Sequence, residues 1–102
     1  MDAAELEQLI KSRFPDQYKA GLDLTIQDVM KMDPQVRRRT FKFLQTGEIE
    51  DTEIEGYSIQ KLTETGMNPL GAFLMQDWLL RNPEEAMRAM KRRHDSIRPL
   101  EK

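Results

Sequence analysis

No cysteine occurs in the 102 residues. That absence removes disulfides, thiolate metal sites and thiol nucleophiles together, and it fits a reducing compartment. Histidine is almost missing too. His94 stands alone, and a metal site needs several ligands, so a packed or interface histidine is the expectation over a metal-bound one. No window approaches the roughly 18 uncharged apolar residues that a membrane-spanning helix needs. No run of alternating β-branched residues marks a strand. Also absent are a phosphate-cradling glycine loop, a nucleophile elbow and a zinc-protease histidine pair. The opening MDAAELEQLI carries acids where a targeting segment would place a basic stretch and an apolar run. These absences predict a small, soluble, cytoplasmic protein that is not an enzyme, with no cofactor, no metal and no membrane contact.

What is present is charge, and it is segregated. Sixteen basic residues oppose eighteen acidic ones, a net charge of −2, which is less basic than a dedicated nucleic-acid binder usually is. The acids gather in EIEDTEIE (48–55), the bases in RRRTFK (37–42) and MRAMKRRH (87–94). Such a layout serves either pairing within the fold or one face for a charged partner.

The remaining punctuation is helical. Asp2 with Glu5 forms a capping box before Leu6, Leu9, Ile10 and Phe14, and Pro15 ends that helix near Arg13. PDQYKAG reads as a loop, and Thr25 with Asp28 caps a short helix carrying Ile26, Val29 and Met30. Asp33–Pro34 starts a helix that runs to about Thr46 and closes at Gly47; Ser58–Thr65 closes at Gly66. Asn68–Pro69 and Asn82–Pro83 start two more, the last reaching about Ser96. The prediction is one all-α domain over 1–102, a compact bundle of five to six short helices around a central apolar helix at about 69–81.

Two motifs fail on their particulars. DTEIEGYSIQKL (51–62) places Asp51, Glu53, Glu55 and Gly56 where a calcium loop would, but Leu62 stands where the bidentate glutamate belongs. Residues 58–80 have the order of a helix-turn-helix. A reading helix needs polar and basic side chains, however, and Leu70, Ala72, Phe73, Leu74, Met75, Trp78, Leu79 and Leu80 surround most of the axis. Gln76, Asp77 and Arg81 break that surface, with Asp77 and Arg81 spaced to pair. A helix apolar all round is a buried helix.

On the 34–46 helix, Val36, Thr40, Phe41, Phe43 and Leu44 form the apolar arc and Arg38, Arg39 and Lys42 the polar side. Arg37 falls inside the arc, so its head must snorkel or find a carboxylate in 48–55. On the last helix Ala86, Met87, Met90, His94 and Ile97 form a stripe, with Arg88, Lys91 and Arg92 opposite. Elimination of site chemistries leaves a protein-protein interaction or adaptor module, its partner another protein or a second copy. Phe73, Trp78, Met87 and Met90 suit such a contact, against the ordinary alternative that they fill the core. The other reading is a helix-turn-helix-like nucleic-acid binder gripping phosphates with Arg38, Arg39, Lys42, Arg88, Lys91 and Arg92.

Overall fold

A computed structural model describes residues 2–14 and 26–97, with side chains to residue 92. The PDQYKAG segment, Thr25 and the side chains of His94 and Ile97 lie outside that description. The fold is all-α. Six helices are present among the described residues: α1 Ala3–Arg13, α2 at 26–30, α3 Pro34–Thr46, α4 Ile59–Glu64, α5 Pro69–Arg81 and α6 Pro83–Ile97. Contacts divide the chain into two compact units, Met1–Glu50 and Asp51–Lys102.

In the first unit, α1 packs on α3. Leu6 and Ile10 of α1 are buried, as are Val36, Phe43 and Leu44 of α3, and Phe14 meets Phe43 at a ring-centroid distance of 5.9 Å. The helix ends are closed by the groups the sequence offers. The Asp2 carboxylate accepts the Glu5 amide at 2.9 Å, and the Asp33 carboxylate accepts the Gln35 amide at 3.0 Å ahead of Pro34. Gly47 ends α3 at φ +81°, a conformation that penalises a Cβ. Two arginines cap carbonyls from outside their own helices. Arg13 Nε donates to Leu44 O at 2.6 Å at the end of α3, and Arg37 Nη1 donates to Met30 O at 2.9 Å at the end of α2. A cation at a helix C-terminus satisfies orphan carbonyls and complements the dipole. Arg37 thus finds a backbone carbonyl rather than a carboxylate of 48–55.

In the second unit, α5 packs on both α4 and α6. Helix α4 has six residues, too few to stand alone, and its entry is heavily capped. Asp51 accepts the Ile59 and Gln60 amides at 2.7 and 3.0 Å, and Ser58 Oγ accepts the Lys61 amide at 3.0 Å. Both oxygens of the carboxylate that would open a calcium loop therefore face α4. Asn68 caps α5 through the Gly71 amide at 2.7 Å. Asn82 joins α5 to α6 in one residue: its N–H donates to Trp78 O and its carbonyl accepts from the Ala86 amide.

Candidate interaction surfaces

Helix α5 is two-sided. Leu70, Ala72, Phe73, Gln76, Asp77 and Leu79 are buried, while Gly71, Leu74, Met75 and Trp78 are half-buried. At about 100° per residue those four fall on one continuous outward strip. An apolar helix stands here as expected, and it departs from uniform burial on two counts. Its polar residues Gln76 and Asp77 are inside, and Leu80, near its end, is 42% exposed. The reason is specific partnering. Gln76 Nε2 donates to Thr52 O at 2.7 Å and Tyr57 O at 2.9 Å, tying the 51–58 loop to α5. Asp77, 2% exposed, accepts from Arg81 Nε at 3.0 Å and Nη2 at 2.5 Å. Buried polar groups with such partners are tolerated.

The four residues proposed for a partner contact separate accordingly. Phe73 and Met90 are core residues, Trp78 is half-buried on the outward strip, and Met87 is 41% exposed. Met87 thus leaves the buried stripe of α6, where Ala86 and Met90 remain. Leu74 and Met75 join Trp78 on the outward strip. The i, i+3/i+4 spacing around Trp78 carries that grouping in the sequence, but the apolar composition of the rest of the helix hides it.

The six candidate phosphate-contacting residues separate as well. On α3, Arg39 is 1% exposed and its Nη1 donates to Glu50 O at 3.2 Å. Its placement on a solvent-facing side is therefore corrected: after the Gly47 turn, residue 50 comes back over this side of the helix. Arg38 binds Glu50 through two nitrogens at 2.5 and 3.3 Å, and Lys42 Nζ lies 3.6 Å from the same carboxylate. The Arg38 hydrogen bond, aided by the charges of Arg38 and Lys42, holds the Glu50 carboxyl below the usual range, against partial desolvation. The same bond and charge raise the Arg38 guanidinium. On α6, Arg88, Lys91 and Arg92 are exposed, and none forms an ion pair among the described residues. No group of three or more His, Cys, Asp or Glu side chains suited to a metal ion occurs among the described residues. No described helix is long and apolar enough to cross a membrane.

No protein-family model matches this chain, and no curated protein or solved structure matches it at a significant level.

Proposed function

We propose that the protein is a non-catalytic interaction module whose contact surface is the outward strip of α5, with Trp78 at its middle. The observation that supports this reading is the strip itself. Leu74, Met75 and Trp78 are large and apolar, share one side of the helix and keep solvent access while Phe73 and Leu79 are buried. Tryptophan and methionine suit partner contacts, the first as an anchor and the second as an adaptable filler. A second reading, phosphate contact by Arg88, Lys91 and Arg92, is favoured by their exposure without ion pairs among the described residues. It is the narrower one, because the α3 cations are already engaged with Glu50.

The test is site-specific cross-linking in living cells. A photoreactive residue at Met75 or Trp78 is expected to give discrete protein adducts, and one at exposed Gln60 is expected to give none. Absence of adducts from positions 74, 75 and 78 overturns the reading.

A further inference from the structure

Two oppositely charged sets in the second unit have no ion-pair partner among the described residues. The first is Arg88, Lys91 and Arg92, whose i, i+3, i+4 spacing puts them on one exposed side of α6. The second is exposed Glu53 and Glu55. Ile54 and Tyr57 exchange two backbone hydrogen bonds of 3.0 Å, so Glu55 and Gly56 form the tip of a two-residue hairpin. Their φ values of +53° and +83° are those of a tight primed turn, which holds Glu55 out at its apex. Lys61 places its ammonium on Gly56 O at 3.4 Å and over the Tyr57 ring at 5.3 Å, and forms no ion pair with either glutamate among the described residues.

We propose that a second copy of the chain completes both sets, in a two-fold dimer where α6 of each copy receives the Glu53–Glu55 tip of the other. This rests on the interaction-module reading and names its partner. A two-fold axis uses a complementary contact twice, so both charge sets in both copies are matched at once. An extended polyanion fits less well. Exposed Glu84 and Glu85 precede the three cations on α6, and a long anion lying along that helix would run past them. A tip carrying two glutamates is short enough to engage Lys91 and Arg92, six or more residues beyond Glu84 and Glu85, without spanning those acids. Arg81 and Arg88 also line one surface depression with Asn82, Pro83, Glu84 and Glu85, an open volume of about 320 Å³. Arg81 stands three and seven residues from Trp78 and Leu74, so the depression joins the cationic side of α6 to the α5 strip. In such a contact, charge sets register and encounter rate while the apolar strip supplies affinity.

Sedimentation equilibrium on the intact chain tests the dimer. The wild type is expected to associate at about 20 mM salt and to weaken at least about tenfold by about 500 mM, where the Debye length is only a few Å. Arg88→Glu with Arg92→Glu, and separately Glu53→Lys with Glu55→Lys, should each be monomeric and unchanged in far-ultraviolet circular dichroism. Mixed in equal amounts, the two variants should dimerise, because each then presents the charge the other lacks at both contacts. A monomeric wild type at low salt, a mixture that stays monomeric, or variants that dimerise like wild type overturns the proposal. A monomeric wild type that binds a short single-stranded oligonucleotide through these cations replaces the dimer with phosphate contact. Adducts from Met75 in a chain that stays monomeric leave the interaction reading standing and remove only the second copy as its partner.

Discussion

Helices α3 and α6 are alike in cationic sequence and opposite in use. Each carries four basic residues, of which three share one side by helical spacing, Arg38, Arg39 and Lys42 on one and Arg88, Lys91 and Arg92 on the other. On α3 one glutamate engages all three, its carboxylate taking Arg38 and Lys42 and its carbonyl taking Arg39. On α6 no described residue does this. The difference is set outside the helices, by the path of the chain beyond α3. Gly47 reverses that path within one residue, and three residues later Glu50 lies over the cations. Whether a basic run stays exposed or is engaged within the chain thus depends on its flanking loop. The local density of arginine does not decide it.

The contrast between the two helices is tested most severely at Arg39. Arg39→Ala removes a buried side chain and its bond to the Glu50 carbonyl, so urea unfolding should show a loss of about 2–3 kcal/mol. Arg92→Ala, in exposed α6, should stay within about 0.5 kcal/mol of wild type. Equal effects would mean that the two helices use their cations alike. The next effect comes from the turn. An added Cβ at Gly47 meets Arg13 Nη1 at 3.5 Å, an ordinary contact, so Gly47→Ala acts through its φ of +81°. The expected loss is about 1 kcal/mol in the same assay. A wild-type midpoint would show that the reversal over α3 does not depend on glycine.

Much of the fold is legible locally. Asp33–Pro34, Asn68–Pro69, Gly47 and Gly66 fix helix limits because caps and prolines act within one turn of the residue that carries them. The surfaces are less legible, because partners distant in sequence decide them. A helical wheel puts Arg37 in the apolar arc of α3 and Arg39 outside it. In the fold Arg37 is half-buried on Met30 O, and Arg39 is buried beneath residue 50. The acidic segment does supply a partner for α3, but the carboxylate of its Glu50 takes Arg38 and Lys42 rather than Arg37. Composition also hides the two sides of α5, since its outward strip is as apolar as its inner side. Gln76 is drawn inside by carbonyls 19 and 24 residues away, a relation with no periodic trace. His94 and Ile97, placed by periodicity on the α6 stripe, lie beyond the described side chains.

The smallest expected effect discriminates best between the two helices. Glu50→Gln keeps the backbone carbonyl that holds Arg39 and removes the carboxylate that neutralises Arg38 and Lys42. The pair is exposed, so little stability is at stake at neutral pH. Its pH dependence is nevertheless defined in sign. The folded chain holds the Glu50 carboxyl below its ordinary value of 4.5, chiefly through the Arg38 hydrogen bond, so the unfolded chain binds that proton more readily. The contribution is therefore complete above the ordinary value and is lost as pH falls through the lowered one. Urea midpoints followed downward from about pH 6 should decline less steeply in Glu50→Gln than in wild type. At neutral pH the variant should elute later from a phosphate-bearing resin, because α3 then resembles α6. A variant with wild-type slope and wild-type elution would mean that the α3 cations are silenced by something other than this carboxylate.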